Sequence, residues 1–307
     1  MTMRACVLTA LAAAGMGSMA MAASQAPAAQ APKTVTIDKV ADTLYVLKGG
    51  GGNTALFLTA TGAVVVDTKL PGWGQPLLDA VKTVTSKPVT MVINTHTHYD
   101  HTNGQVEFPA SVEVVAHENT KTYMEQANPV YALQTGPQPN IFKANGGRGM
   151  PTRTFKDTLT IGSGADRIDL HYFGRAHTGG DTYVVFPALR VMHVGDTFPS
   201  RDLPIMDLNN GGSGIAFADT LAKAAAVAGV TTIINGHNAT TMTPADVKTY
   251  SEFIRDFVTT VQEAKKAGRT ADDVAATWTT PAKYAGYAVP APARVKADAQ
   301  AIFTETK

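Results

Sequence analysis

The sequence predicts an α/β fold in which two β-sheets pack against each other and helices cover their outer faces. Each half of the chain contains short apolar, β-branched runs followed by segments of helical periodicity. The 307 residues suit one large α/β domain or two small ones, and no short-period repeat indicates a solenoid. Since a sheet must bury its apolar face against another layer, we expect the two halves to pack sheet against sheet.

The N-terminus has the three parts of a secretory signal peptide in the right order. Arg4 supplies a positive charge, an apolar run follows, and Ala20-Met21-Ala22 forms a cleavage site. The run is short for a membrane anchor and no stop-transfer pattern follows it, so we expect cleavage of residues 1–22 and no anchor. Residues 23–34, rich in Ala, Pro and Gln, predict a flexible linker before one domain over 35–307. The expected location is outside the cytoplasm, in a bacterial periplasm.

Charge and cysteine content narrow the possible partners. The net charge is +1, which argues against nucleic acid or an anionic membrane as a partner. Cys6 is the single cysteine and lies within the predicted signal peptide. The mature chain is therefore expected to have no disulfide and no thiolate nucleophile or metal ligand. We expect a small-molecule substrate, and the oligomeric state stays open.

The first half predicts a meander of strands, then strands that alternate with helices. The predicted strands are 35–37, 43–47, 54–58, 63–67, 89–94 and 112–116. Helices are predicted over 76–84, where apolar residues recur with a helical period, and over 118–127. Residues 128–151 contain many Pro, Gly, Asn and Gln without a clear period. They predict a long loop, which in a compact domain is often a lid or a binding loop.

The second half repeats this organisation. The predicted strands are 167–173, 182–186, 190–194 and 231–234, with a helix over 215–228. The strongest helix signal begins at Thr243 as N-cap, with Pro244 at the first position and Asp246 in the first turn. Its apolar residues keep a helical period until Val261, and Gly268 lies just past its end.

A dense cluster of histidines follows the predicted strand 89–94. His96 and His98 are two residues apart, so in extended chain they face the same side and can bind one ion. Asp100 and His101 lie where the chain turns and can face a neighbouring point. Neutral imidazole and carboxylate are good zinc ligands, and strand ends are where α/β sheets build sites. The alternative is a polar loop with chance histidines.

Three more ligand-type residues share this context, each just past an apolar run and close to a glycine. They are His177, Asp196 and His237. Glycine allows the backbone to approach a crowded site, although each residue alone is more often a hydrogen-bonded surface group. Together with the first cluster they predict one metal centre. The remaining histidines, which we interpret as structural or as supports of the ligands, are His117, His171 and His193.

The motif over 95–101 resembles the H-x-H-x-D-H motif of the metallo-β-lactamase superfamily. The order of His177, Asp196 and His237 is similar to that family's remaining ligands, and Asp67 resembles its early strand-end aspartate, which supports the site. The resemblance extends from about residue 38 to at least 265. It implies a four-layer αββα sandwich with the site along one edge and helices at the C-terminus.

The resemblance also implies two Zn²⁺ and a role for each ligand. The first zinc would be held by His96, His98 and His177, and the second by Asp100, His101 and His237. Asp196 would bridge the two ions beside a hydroxide that acts as nucleophile, so Asp100 and Asp196 are the expected catalytic carboxylates. Zinc lowers the pKa of bound water from 15.7 to about 7. The positive charge left on such a centre favours a substrate that carries or develops negative charge.

An aspartate bridge resembles glyoxalase II, lactonases and secreted β-lactamase-like hydrolases more than true zinc β-lactamases. The expected reaction is hydrolysis of a lactam, lactone, thioester or ester. Asn238 departs from the glycine that relatives often have after the last histidine, which concerns the shape of that loop. The alternatives are an iron-dependent oxidoreductase on the same fold, a two-metal phosphodiesterase, and a non-catalytic metal-binding module. The near-neutral charge argues against a nuclease.

Three residues are candidate substrate contacts. Arg201 follows Asp196 on a loop expected to border the site, where it could pair with a substrate carboxylate or remain a solvated surface arginine. Tyr131 and Phe142 belong to the long loop 128–151, which could close over an apolar part of the substrate or form a mobile surface loop.

Overall fold

The computed structural model of the protein describes residues 32–238 and 241–306. The predicted signal peptide 1–22, with Cys6, and most of the predicted linker 23–34 lie outside the described residues. None of the helices within the described ranges is both long enough and apolar enough to cross a lipid bilayer.

The first sheet is mixed. Among the described residues it contains seven strands, in the order β1 (Thr36–Ala41), β2 (Leu44–Lys48), β3 (Thr54–Leu58), β4 (Ala63–Val66), β5 (Val89–Ile93), β6 (Glu113–His117) and β7 (Arg153–Phe155). Strands β1 to β4 form the predicted antiparallel meander, and β4 to β7 run parallel. The carboxyl ends of β4 and β5 are therefore neighbours, and the Asp67 N–H donates to the Ile93 carbonyl at 2.9 Å.

The second sheet contains five strands within the described ranges. Their spatial order is β12 (Thr232–Ile234), β11 (Val191–His193), β10 (Tyr183–Phe186), β9 (Ile168–His171) and β8 (Thr158–Ile161). Strands β8 to β11 are antiparallel, whereas β11 and β12 are parallel. Because β11 and β12 run parallel, the residues after them, including Asp196 and His237, leave the sheet at the same edge.

Helices cover the outer face of each sheet. They are α1 (Gly74–Val84), α2 (Tyr99–Thr102), α3 (Glu118–Gln126), α4 (Ile141–Ala144), α5 (Gly214–Ala225), α6 (Pro244–Lys266), α7 (Ala271–Thr277) and α8 (Pro292–Glu305). Helix α6 begins with the predicted N-cap: the Thr243 side chain accepts from the Asp246 N–H, and Asp246 reaches back to the Thr243 N–H.

The core has apolar layers between the sheets and beneath the helices. Phe57 of the first sheet packs on Phe186 of the second, with ring centroids 4.9 Å apart. On the outer side of the first sheet, Leu77 of α1 lies in an apolar cluster with the strands, and Phe253 of α6 does the same on the second sheet. The predicted α/β sandwich, with two packed sheets between helical layers, is confirmed.

The predicted elements differ from the structure mainly where elements are short. Strands β7 and β8 have three and four residues and were not predicted, because so short a run carries little periodicity. The predicted loop 128–151 contains the four-residue helix α4, whose N-cap Asn140 accepts from the Lys143 N–H at 2.9 Å. The C-terminal helices α7 and α8 agree with the expectation of helices after α6.

Candidate metal centre

The seven predicted ligands come together where the two sheets meet at one edge. Two backbone hydrogen bonds join the sheets there: the Thr182 N–H donates to the Thr95 carbonyl at 2.7 Å, and the Asn53 N–H to the Gly236 carbonyl at 2.6 Å. Gly236 has to be glycine, because a Cβ at this position would lie 1.8 Å from Asp196 Oδ1. The ends of the strands therefore place the ligand side chains at this edge, and Gly236 leaves space for the Asp196 carboxylate.

His96, His98 and His177 form the first group of donors. Their ring nitrogens lie within 4.8 Å of one another, and all three side chains are buried. His98 Nδ1 and His177 Nε2 face each other at 3.0 Å. Burial and the neighbouring His98 lower the pKa of His177 to about 4, so it is neutral at physiological pH.

The other nitrogen of each facing ring is held by an acceptor. His98 Nε2 lies 2.7 Å from Asp207 Oδ2, and His177 Nδ1 lies 2.7 Å from the Ile205 carbonyl oxygen. A carboxylate and a carbonyl can only accept, so each of these nitrogens carries a proton. In the neutral form that a metal ligand requires, the lone pairs of His98 Nδ1 and His177 Nε2 would face each other, and a cation between them would be bound by both.

His96 is oriented through a threonine. The Thr95 hydroxyl donates to Asp67 Oδ2 at 2.6 Å, so its oxygen accepts from His96 Nδ1 at 2.9 Å. This leaves the Nε2 lone pair of His96 directed inward, buried and without a hydrogen-bond partner. Burial, with His101 and His98 nearby, lowers the pKa of His96 well below its usual value. Buried polar atoms are rarely left unpaired, so this atom points to an absent ligand.

Asp100, His101 and His237 form the second group. His101 Nε2 lies 3.2 Å from His237 Nε2, and Asp100 Oδ2 lies 3.4 Å from His237 Nε2. His101 Nδ1 is 2.8 Å from Asp67 Oδ2, to which it donates, so Nε2 is the ring nitrogen that faces the group and would bind a metal in the neutral ring. The Asp100 and His237 side chains are partly exposed, which leaves this side of the centre accessible from solvent.

Asp196 lies between the two groups. Its Oδ2 is 3.1 Å from His237 Nε2 and 3.8 Å from His177 Nε2, and its Oδ1 is 3.3 Å from His101 Nε2. Burial alone would raise the pKa of Asp196, but His101 and His237 hold it well below its usual value. A carboxylate oxygen of Asp196 therefore lies within 3.8 Å of a ring nitrogen in each of the two groups.

The donor set fits a pair of metal ions. Ligands about 2.1 Å from one tetrahedral ion stand roughly 3.4 Å apart, and the closest contacts here lie between 3.0 and 3.8 Å. Three features fit metal binding: ring nitrogens of both groups face one another, His96 Nε2 is buried without a hydrogen-bond partner, and the Asp196 carboxylate contacts both groups. The chain contributes imidazole and carboxylate here and no thiolate, a set that zinc and iron both accept.

Asp67 and Lys69 support the ligands from behind. The sequence predicted a supporting role for Asp67, which is fully buried with a φ of 65° and accepts hydrogen bonds from Thr95 and His101. Nothing in the sequence indicated a role for Lys69, whose Nζ donates to the Leu47 and Gly52 carbonyls at 2.5 Å each and whose pKa is lowered by burial to about 7. A Cβ on Gly52 would lie 2.1 Å from the His101 ring, so Lys69 anchors a backbone segment that packs directly on this ligand.

The histidines interpreted as structural lie outside the donor groups. His117 stacks on Tyr172 at 4.1 Å and its Nε2 contacts the Lys156 carbonyl at 2.7 Å. His193 is buried, with Nε2 3.2 Å from the Asn53 carbonyl, and half-buried His171 stacks on a neighbouring phenylalanine.

The three candidate substrate contacts have different surroundings. Phe142 lines a cavity of about 220 Å³ that also borders His98. Arg201 does not line this cavity: its guanidinium donates to Asp246 at 2.9 Å. Tyr131 also lies outside the lining, and its backbone N–H donates to Asp207 Oδ1 at 3.0 Å.

Comparisons with known proteins concern the family and the fold of the chain. A family model described as the metallo-beta-lactamase superfamily matches residues 47–259. The chain is 26% identical, over 168 residues, to the 2,4-dinitroanisole O-demethylase subunit alpha of Nocardioides sp. (strain JS1661), covering 53% of this chain and 46% of the relative. The chain thus spans about half the length of that curated relative.

Solved structures share the fold at low sequence identity. A metallo-beta-lactamase from Pontibacter korlensis has a TM-score of 0.57 at 16% identity, with 72% of this chain and 99% of that chain covered. A stereoselective inverting sec-alkylsulfatase from Pseudomonas sp. has a TM-score of 0.64 at 15% identity, with 88% and 50% covered. These two structures support the fold.

Proposed function

The chain belongs to the metallo-β-lactamase superfamily, and from that premise we propose that it is a two-zinc hydrolase that cleaves an acyl bond. The bond would be that of an ester, lactone, thioester or lactam in a small molecule. One observation carries the proposal: seven imidazole and carboxylate side chains converge at one edge of the two sheets, beside a cavity large enough for part of a substrate.

We propose that His96, His98 and His177 hold one metal, that Asp100, His101 and His237 hold the other, and that Asp196 contacts both. When bound, such a pair supplies a water-derived nucleophile at neutral pH and a Lewis acid for the scissile carbonyl. The protein determines which nitrogen of each imidazole carries the proton and which is available to bind a metal. Proton-accepting partners achieve this for each ring of the first group: the Thr95 oxygen for His96, Asp207 for His98 and the Ile205 carbonyl for His177.

The two carboxylates have different surroundings and hence different proposed roles. Asp196 is buried, and its low pKa keeps it ionised, as a shared ligand requires. The Asp100 side chain is 23% exposed and lies at the accessible side of the centre. We propose that Asp100, the more accessible carboxylate of the set, accepts a hydrogen bond from the entering water or substrate while it serves as a ligand of the second metal.

The test is a substrate and metal screen of the purified chain. Metal-depleted protein is loaded with zinc, and metal content is measured together with turnover of nitrocefin, a homoserine lactone, S-lactoylglutathione, an aryl acetate and an aryl phosphate. The proposal expects two zinc ions per chain and turnover of at least one acyl substrate. Two bound zinc ions with turnover of the aryl phosphate alone would instead indicate a phosphodiesterase. If the protein bound no metal, the proposed two-zinc hydrolase would be rejected.

A second candidate is cleavage of an activated aryl methyl ether. It is favoured by the similarity to a relative named 2,4-dinitroanisole O-demethylase subunit alpha. Adding 2,4-dinitroanisole to the screen tests it, with the released phenol followed by absorbance. The iron-dependent alternative is separated by elemental analysis and oxygen consumption: iron in the protein as isolated, with oxygen uptake during turnover, would support an oxidoreductase.

Export from the cytoplasm is also part of the proposal, and rests on the charge, apolar run and cleavage site over residues 1–22. N-terminal sequencing of the protein from a periplasmic fraction tests it. A first residue close to Ala23 would support cleavage at the predicted site, and an intact Met1 would contradict it.

A further inference from the structure

The cavity beside His98 is lined by neutral side chains. Its volume is about 220 Å³, and none of the described residues that line it is Lys, Arg, Asp or Glu. Phe142, Met124 and Val130 are buried apolar members of the lining, and Tyr123 and Asn210 are polar but uncharged members. A charged group bound against this part of the lining would lose hydration without gaining an ion-pair partner among the Lys, Arg, Asp or Glu side chains of the lining.

The pocket wall is fixed by hydrogen bonds. The Asn140 side-chain amide donates to the Met124 and Glu125 carbonyls at 2.9 Å each, which attaches α4, with Phe142, to α3. On the other side, Asn128 donates to the Asn209 carbonyl at 2.9 Å. A preformed pocket selects a ligand by shape and polarity at a low ordering cost.

The arginine that the sequence suggested for pairing with a substrate carboxylate is engaged elsewhere. Arg201 donates to Asp246, which also accepts the Thr243 N–H in the helix cap, so this guanidinium has a partner away from the cavity lining. The cavity mouth adds apolar character, because Tyr99 lines it and is 37% exposed. The volume is below the roughly 300–1,000 Å³ typical of sites for drug-sized ligands, so it suits a single ring.

We propose that this cavity, defined by Phe142, Met124, Val130, Tyr123 and Asn210, binds an uncharged aromatic ring of the substrate. The inference rests on the proposed hydrolase function and narrows it. The preferred substrate is a neutral aryl ester or lactone, and substrates with a carboxylate, phosphate or sulfate on the part that enters the cavity are poor.

The first test compares two substrates that share one scissile bond. Methyl 4-acetoxybenzoate is neutral, and 4-acetoxybenzoate carries a carboxylate in place of its methyl ester; the acetyl ester is the bond compared in both. With zinc-loaded protein, and with each rate divided by the rate of hydroxide-catalysed hydrolysis, kcat/KM is expected to favour the neutral ester by about tenfold or more. Equal values, or a preference for the anion, would overturn the inference.

The second test measures binding without catalysis. Methyl 4-hydroxybenzoate and 4-hydroxybenzoate are titrated into metal-free protein and followed by ligand-observed NMR. The neutral phenol is expected to bind about tenfold more tightly or better, and equal affinity would overturn the inference. Selective binding together with no hydrolysis would support the pocket and reject the proposed hydrolase. Hydrolysis of both esters without selective binding would support the proposed hydrolase and reject the aromatic-ring pocket.

Variants connect the selectivity to this cavity. Phe142→Ala should lower kcat/KM for the neutral ester about tenfold, because the ring loses its apolar contact. Gln138→Lys changes a half-buried lining residue without altering the apolar cluster, and should reduce the neutral-to-anionic ratio about fivefold. Met150→Ala is the control: Met150 packs against the same small apolar cluster as Phe142 but does not line the cavity, so the ratio of kcat/KM for the neutral ester to that for the anionic ester should be unchanged.

If neither Phe142→Ala nor Gln138→Lys changed this ratio, the selectivity would arise outside the cavity and the assignment would be overturned.

Discussion

Asp67 is the residue whose replacement most directly tests how the imidazoles are oriented. Its carboxylate accepts from the Thr95 N–H at 2.8 Å, the Thr95 hydroxyl at 2.6 Å and His101 Nδ1 at 2.8 Å, with the side chain fully buried. In Asp67→Asn one acceptor oxygen becomes an NH₂ donor. If that donor faces His101, the ring is driven to the other tautomer, in which Nε2 carries the proton and is no longer a ligand.

The size of the effect follows from the loss of an orienting partner. Removing such a partner typically lowers metal affinity 10- to 100-fold, or about 1.4–2.8 kcal/mol of binding free energy. His96 depends on the same carboxylate through Thr95, so we expect the upper end of this range. An additional loss of about 1–3 kcal/mol in the free energy of unfolding is expected if the new donor stays unpaired.

The assay is competition for zinc against a chromophoric chelator, with metal content measured after dialysis. Asp169→Asn is the matched control, because Asp169 is an aspartate on β9 that bonds Thr160 and Arg167 and contacts none of the proposed ligands. Excess zinc should partly restore turnover in Asp67→Asn. Wild-type affinity for two zinc ions in Asp67→Asn would refute the argument that this carboxylate sets the tautomers.

Other outcomes are expected from the same geometry. Asp196→Asn should lower turnover by orders of magnitude, since one carboxylate contacts both donor groups, and near-normal turnover with two bound metals would show that the bridge is misassigned. Lys69→Met leaves the Leu47 and Gly52 carbonyls without their donor, so urea titration should show a loss of about 1–3 kcal/mol, whereas an unchanged midpoint would argue against the anchor. Burial raises the pKa of Asp298 to about 8, so between about pH 4 and that value the folded state holds a proton that the unfolded state has released. This part of the stability is present at low pH and is lost as pH rises toward 8; Asp298→Asn should flatten the decline in thermal midpoint, and a parallel decline in both proteins would reject the assignment. Removing metal with EDTA should lower the thermal midpoint and zinc should restore it, while identical midpoints with and without metal would mean that binding is not linked to folding.

The candidate ligands could be selected from the sequence because each is marked by residues close to it in the chain. His96 and His98 follow one strand at a spacing of two, and Asp196 and His237 each follow a short apolar run, so the ends of strands identify them without knowledge of the packing. The structure brings these residues together at one edge of the two sheets. The strands of the meander were equally visible, because turn residues separate them.

The residues that orient the ligands were less visible in the sequence. Asp207 lies in a segment without a clear period, and nothing near it indicates that its carboxylate reaches His98, 109 positions earlier in the chain. For Arg201, sequence position suggested a contact that the structure does not show. Its position after Asp196 suggested a substrate contact, yet it pairs with Asp246, 45 residues later. Such contacts depend on how loops fold back across the sheets, which spacing alone does not encode.

Asp207 also connects the proposed pocket with the metal centre. One of its oxygens lies 2.7 Å from His98 Nε2, while the other accepts the Tyr131 N–H at 3.0 Å and the Asn209 N–H at 3.1 Å. Asn209 in turn donates to the Pro129 carbonyl at 2.9 Å, next to Val130 of the pocket wall. Because a buried carboxylate that loses a donor is costly, the wall and the His98 ring are expected to keep their relative positions. The substrate ring and the proposed ligand would thus be placed by the same buried group. The loop 128–151 would then hold the reacting bond beside the proposed metal centre.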